Sequence, residues 1–161
     1  EAAKFLKNHP IQITFIGDGP EKNNLIKKSR NLNIIKFENS ISKDLIPSKI
    51  IESDAILISL KDVALFKYGI SPNKLYDAYA VGRPIISSVG GDINKEIIEN
   101  KIGLTCEPGK PKDLAQIMIR MYKLSRNTRS NMGIVANKLA KNIYSRKKIR
   151  ESFYLIIKDY L

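Results

Sequence analysis

The sequence predicts an α/β fold, a Rossmann-like doubly wound parallel sheet of about five or six strands with C-terminal helices, and three observations carry that prediction. Short apolar runs rich in β-branched residues recur five times before position 110 of the 161-residue chain. Segments of helical periodicity separate them, as the crossovers between parallel strands require. From Pro111 onward the pattern is helical throughout.

Taken in order, "EAAKFLKN" reads as the end of an amphipathic helix, so the chain is expected to be a fragment. "IQITFI" (11 to 16), between Pro10 and "GDGP", is the first strand. In "EKNNLIKKSRNL" a sparse stripe of Leu25, Ile26 and Leu32 makes a helix with Pro20 and Glu21 at its start. "NIIKF" (33 to 37) is the second strand, and 42 to 53 form a helix whose first turn must hold Pro47. "DAILISL" (54 to 60) is the third strand. Residues 61 to 70 lack a clean period and read as a loop beyond its end, a candidate functional loop.

In "SPNKLYDAYAVGRPII" Ser71 is the expected N-cap and Pro72 the first helical residue, with Gly82 and Pro84 stopping the helix. A strand at 84 to 89, a "GG" turn, a helix from 92 to 100 capped by Asp92, and a strand at 103 to 107 follow. Helices over roughly 111 to 125, 127 to 142 and 145 to 160 close the chain.

Composition narrows the function classes. One cysteine (Cys106) and one histidine (His9) exclude an internal disulfide framework and a His/Cys metal cluster, and no Ser-His-Asp set forms beyond His9. No apolar run approaches the roughly 20 residues that span a bilayer, and the start lacks a signal-peptide core, so a cytoplasmic protein is expected. The formal charge of +12 is concentrated: residues 110 to 150 hold twelve Lys or Arg against the single acid Asp113. A solvated helical face, an anionic membrane surface, an acidic partner and nucleic acid all remain open as its explanation.

In a doubly wound sheet ligands bind outside the carboxyl ends of the strands, here the loops 17 to 20, 38 to 42, 60 to 71 and 87 to 92. Gly17 and Gly19 follow a strand and precede a helix, which suits either a plain turn or close approach to an anion. They lack a third glycine for a dinucleotide fingerprint and a lysine for a Walker loop. Lys74 sits at the positive end of its helix dipole, where a cation gains nothing structurally, and an anion such as a diphosphate resolves that conflict. Asp77, one turn on, suits the vicinal hydroxyls of a ribose, or else pairs with Lys74 at the surface. Gly90 and Gly91 form a second flexible loop, followed by Glu96 one turn into the next helix.

The order "ITFIGDGPEKNNL", "DAILISL", "SPNKLYDAYAVGRPIISSVGGDINKEIIENKIGLTCEPGKP" resembles the C-terminal, nucleotide-sugar-binding domain of GT-B glycosyltransferases, specifically the retaining glycosyltransferase family four. The likeness covers nearly all of residues 1 to 125, and "SPNKL" looks closest to the branch that makes bacterial surface polysaccharides, capsule or lipopolysaccharide.

The resemblance implies one domain over residues 1 to 161, half of a GT-B fold, with the N-terminal acceptor domain and the first strand absent. It implies a nucleoside-diphosphate sugar as substrate, a UDP-sugar favoured, transferred to a polysaccharide or lipid-linked acceptor with no cofactor and no metal. Gly17, Gly19, Ser71, Pro72, Asn73, Lys74 and Leu75 would meet the diphosphate and sugar, Asp77 the ribose, and Ser40 and Ile41 the base. The family's first acid, eight residues before Asp77, falls here at Gly69. Its arginine and lysine pair would lie upstream of this chain, which alone should transfer nothing. In the whole enzyme, catalysis would be positioning and electrostatic stabilisation of the departing nucleoside diphosphate, at the inner face of a bacterial membrane.

Two other readings stay open. A non-hydrolysing nucleotide-sugar epimerase shares the architecture, although residues 61 to 70 hold neither histidine nor glutamate. A basic nucleic-acid-binding module would use the C-terminal charge, although Tyr122, Tyr144, Phe153 and Tyr154 form no evident stacking platform.

Overall fold

The computed structural model describes residues 1 to 63 and 69 to 158. A 3-10 turn, Ala2–Phe5, leads into β1 (Ile13–Ile16), α1 (Lys22–Lys28) and β2 (Ile35–Glu38). A second 3-10 turn, Lys43–Leu45, runs into α2 (Ile46–Ile51), then β3 (Ile56–Ser59), α3 (Asn73–Val81), β4 (Ile85–Ser88), α4 (Gly91–Glu99) and β5 (Gly103–Thr105). Three helices close the chain: α5 (Pro111–Lys123), α6 (Arg126–Asn142) and α7 (Arg146–Ile157). All five predicted strands and the helices predicted from Pro20 onward are present, whereas the helix end read in "EAAKFLKN" is the 3-10 turn Ala2–Phe5; the last part of the helix expected over 145 to 160 lies outside the described residues. Pro47 lies in the first turn of α2, where its missing N–H leaves no hydrogen bond unmade.

Among the described residues every strand pairing is parallel, and the strands form two groups rather than one continuous sheet. β1 pairs with β2, with Phe15 opposite Phe37, while β3, β4 and β5 form a three-stranded sheet in that order. β1 and β3 each keep one edge without a ladder partner among the described residues. The parallel α/β architecture is as expected; the division of the strands into two ladders is not legible in the sequence, because pairing is non-local and an apolar run does not say which edges meet.

Helices cover both faces of the three-stranded sheet, and β4 shows how. Its successive side chains point to opposite faces, and all four are buried. Ile85 joins Ile58, Leu75, Ala78, Tyr79, Ile93, Ile97 and Ala136 in a core built by α3, α4 and α6. Ile86 faces the other way, onto Ala115, Ile117, Met118 and Met121 of α5 and onto Leu6 after the first 3-10 turn. Ile13, Leu57 and Leu104 pack against this second core, which therefore joins the two strand groups. The fold is thus the doubly wound, Rossmann-like α/β arrangement.

α3 is fixed tightly. Gly82 ends it in the left-handed conformation (φ 78°), its N–H bonded to the carbonyls of Ala78 and Tyr79. Beside it α6 approaches so closely that a Cβ on Gly133 would stand 2.0 Å from the Gly82 carbonyl oxygen. Asn137 of α6 donates to the Ala80 carbonyl, and the Arg83 guanidinium donates to the carbonyl of Ile51 at the end of α2. Among the described residues no helix is long and apolar enough to cross a membrane.

Candidate functional site

Two groups of loops leave the carboxyl ends of the strands. After β1, the turn holding Gly17 and Gly19 is locked to the turn after β2 by Asp18, whose carboxylate accepts from the Ser40 backbone N–H (2.7 Å) and from Lys22 Nζ (2.5 Å). Lys22 Nζ also donates to the Asn39 side-chain oxygen (2.9 Å) and the Glu38 carbonyl (3.2 Å). These bonds, the Lys22 ammonium first, hold the Asp18 carboxyl well below the usual carboxylate range. Predicted residues Gly17, Gly19, Ser40 and Ile41 thus sit on two loops tied together, and the space a Cβ would take on Gly17 or Gly19 is open. The sequence did not single out Asp18 or Lys22, although acid and lysine at i, i+4 are a recognisable pair.

The second group surrounds the ends of β3, β4 and β5. Lys61, Asp62, Gly90, Gly91, Glu107 and Pro108 enclose a cavity of about 180 Å³. Buried polar bonds hold its walls: Ser87 Oγ donates to Asn94 Oδ1 (2.7 Å), and Asn94 Nδ2 donates to the Cys106 carbonyl (2.9 Å). Ser88 Oγ donates to Ser59 Oγ (2.8 Å), stitching β4 to β3. The α4 helix begins at Gly91, with Gly90 at the cap and Asp92 inside the first turn, so Asp92 is not the N-cap that the sequence suggested. Gly90 (φ 83°) and Gly91 (φ 57°) both take positive φ in the turn from β4 into α4. Cys106 is half-buried, and burial pushes its thiol up, away from a nucleophile's range.

Between these groups in sequence lies the start of α3. The loop expected over 61 to 70 falls partly outside the described residues. Gly69, where the family's first acid would fall, has φ 119°, a conformation that L side chains rarely adopt. The helix begins at Asn73 with extended Pro72 as cap residue, so Ser71 is not the N-cap and Pro72 is not yet helical. The Ser71 hydroxyl instead meets Tyr76 Oη at 3.0 Å. Leu75 N–H bonds to the Pro72 carbonyl (2.9 Å), and its side chain is buried in the core, which anchors the turn.

The amides of Asn73 and Lys74 find no backbone acceptor among the described residues, and no acid sits in the first turn. Asn73, Lys74 and Asp77 are exposed, and no ion pair joins Lys74 to Asp77. None of the ten predicted site residues lines the 180 Å³ cavity, and no hydrogen bond joins the Gly17–Ser40 group to the Ser71–Asp77 group.

Comparison with known proteins gives the site a context. A family model described as glycosyl transferases group 1 matches residues 1 to 123. Among solved structures, HepE of Anabaena in complex with UDP-glucose superposes with a TM-score of 0.76 at 16% identity, covering 98% of this chain and 43% of that one. The same protein in complex with UDP and glucose gives a TM-score of 0.77 at 16% identity, covering 98% and 44%. An apo structure of OtsA gives 0.65 at 14% identity, covering 86% of this chain and 35% of that one. No curated protein matches the sequence. The chain thus spans less than half the length of the solved structures it resembles.

Proposed function

This chain belongs to the group 1 glycosyl transferases, and from that premise we propose that it is the donor-binding half of a GT-B enzyme that transfers a glycosyl group from a nucleoside-diphosphate sugar. The observation that carries the reading is the start of α3. Two amides without backbone acceptors and Lys74 stand together at the positive end of a helix dipole with no acid to compensate them. A diphosphate would meet all three, and the departing nucleoside diphosphate carries the charge that develops during transfer. Asp77, exposed and free of Lys74, would accept hydrogen bonds from the ribose hydroxyls, while the tied loops at Gly17, Gly19, Ser40 and Ile41 would flank the sugar and base. That HepE was solved with UDP-glucose supports UDP as the first nucleotide to try.

We assign the finer placement to the retaining family four, in the branch that builds bacterial surface polysaccharide, on the "SPNKL" helix start and the "GG" turn. The acceptor domain, the arginine and lysine pair and a strand between β1 and β3 would come from the rest of a longer protein. The unpaired edges of β1 and β3, which share one core, support that strand. The family match favours transfer over the epimerase and nucleic-acid readings.

Calorimetric titration with UDP, GDP and ADP tests the site. Saturable binding is expected, weakened about tenfold by Asp77→Ala, which removes hydrogen bonds to a charged acceptor. Failure of all three nucleotides to bind, even in a longer form that includes the preceding segment, would sink it.

A second surface supports placement at the inner face of a bacterial membrane. On α7, Ile149, Phe153 and Ile156 recur at helical spacing and are 54%, 60% and 68% exposed, beside Arg146, Lys147, Lys148 and Arg150. Pelleting with vesicles should rise with anionic lipid content; pelleting indifferent to lipid charge would assign this face to a protein partner instead.

A further inference from the structure

A carboxylate outside the donor site holds the helix that forms it. Glu96 of α4 is half-buried, and its carboxylate accepts from two phenols, Tyr79 of α3 (2.8 Å) and Tyr144 from the turn between α6 and α7. Among the described residues it has no cationic partner. A half-buried carboxylate needs partners for both oxygens, and here two neutral phenols supply them, so removing it would leave two hydroxyls without their acceptor. What the arrangement supplies is geometry, because three elements far apart in sequence converge on one pair of oxygens.

The cluster reaches the start of α3. The Tyr76 ring lies 4.9 Å from that of Tyr144 and stands edge-on to Tyr79 at 6.3 Å, both within the range of favourable aromatic pairs. Tyr76 Oη in turn meets Ser71 Oγ at 3.0 Å, immediately before the amides of Asn73 and Lys74. A continuous path of contacts thus runs from Glu96 through Tyr144 and Tyr76 to the segment that turns into the helix.

We propose that Glu96 is a positioning residue for the donor site: by fixing Tyr79 and Tyr144 it sets α3 and, through Tyr76 and Ser71, the orientation of the Asn73 and Lys74 amides. The donor role of those amides rests on the reading above, whereas the positional coupling does not. The position of the turn between α6 and α7 is thereby linked to the site through the tyrosines.

The test uses the whole chain and two readouts. Backbone amide NMR shifts of Ser71, Asn73 and Lys74 are compared in the wild type, Tyr144→Phe, Tyr76→Phe, Glu96→Gln and Glu96→Ala, without ligand; UDP affinity is then measured on each. Tyr144→Phe and Tyr76→Phe should shift those amides and weaken UDP about three- to tenfold; Tyr76→Phe should leave the unfolding midpoint nearly unchanged, and Tyr144→Phe, which takes one of two donors from the Glu96 carboxylate, should lower it modestly. Glu96→Gln keeps one acceptor and supplies a donor for the other phenol oxygen, so it should stay near the wild type where Glu96→Ala does not.

Amides and affinity unmoved in the two Phe variants would overturn the proposal, leaving Glu96 a structural clamp. If Glu96→Ala fails to fold, the Phe variants still decide. Amides that shift in a chain that binds no UDP, GDP or ADP, even in the longer form that includes the preceding segment, would instead retain the coupling and discard the donor reading.

Discussion

The two strand groups are written in the same grammar of apolar run, turn and helix, yet they are buried to different depths. β4 has a partner on both edges and helices on both faces, and all its side chains are buried. β1 has a partner on one edge, and Phe15 and Ile16 remain 43% and 36% exposed; α1 beside it buries no residue. Propensity and pattern make a strand, but only neighbours on both edges and both faces make it core. The three-stranded half therefore carries its own stability, and the two-stranded half borrows from the core it shares through Ile13.

The comparison breaks most sharply where the three-stranded half is tightest. Gly133→Ala places a methyl 2.0 Å from the Gly82 carbonyl oxygen, a backbone atom that cannot rotate away, so α3 and α6 must separate. A loss of about 3 kcal/mol, read as a lower urea midpoint at an unchanged slope, is expected. The parallel change Gly19→Ala, where nothing lies within 4 Å, should cost little by the same measurement. Equal effects would mean that the two halves are equally packed.

Asn94→Ala comes next. It leaves the Ser87 hydroxyl and the Cys106 carbonyl without the partners they have now, in a buried site, and about 2 kcal/mol should go with them. Asn94→Asp should do similar damage, since a carboxylate cannot donate to the Cys106 carbonyl. A thermal or urea transition shifted by neither variant would show that water replaces the lost bonds.

The tyrosine cluster makes the same half sensitive to alkali. Burial first, then Glu96, raises the Tyr79 and Tyr144 phenols above their ordinary value. A group whose folded value is raised contributes its full stability below the unfolded value, near pH 10, and loses it as pH climbs from there toward the folded value. Stability should therefore fall by about 1.4 kcal/mol per pH unit for each such phenol, and Tyr144→Phe should flatten that slope by one group. Phenolate absorbance followed beside circular dichroism checks it: all seven tyrosines ionising before the fold is lost would refute it.

The sequence made strands and stops legible because both are local. Alternating apolar runs located all five strands, and Gly82 before Pro84 marked the end of α3, since a left-handed cap has few other residues to use. What failed was non-local. The break between β1 and β3 depends on which edges meet, and the Glu96 cluster joins positions 48 residues apart, where no spacing rule reaches. The N-cap assignment at Ser71 failed for a different reason: the helix starts at Asn73 with Pro72 in the cap position, which puts Ser71 one residue too early, and its hydroxyl meets Tyr76 Oη instead. Of the candidate site, the exposed Lys74 and Asp77 could be read from charge placement, whereas the lock between Asp18, Lys22 and Ser40 required the fold.

The smallest effect is the most informative about what completes β1. Phe15 stacks on Phe37 with ring centroids 5.4 Å apart, but its 43% exposure leaves much of the usual burial unrealised. A fully buried Phe→Ala change costs about 3 to 5 kcal/mol. In this chain Phe15→Ala should cost only about 1 kcal/mol, chiefly the aromatic pair. In a longer form that supplies a strand between β1 and β3, the same change should cost about 3 kcal/mol, because a second neighbour would cover the ring that is now open. Urea unfolding of both forms decides it. A cost that stays near 1 kcal/mol in the longer form would leave the edges of β1 and β3 open there too, and would remove the strand from between them.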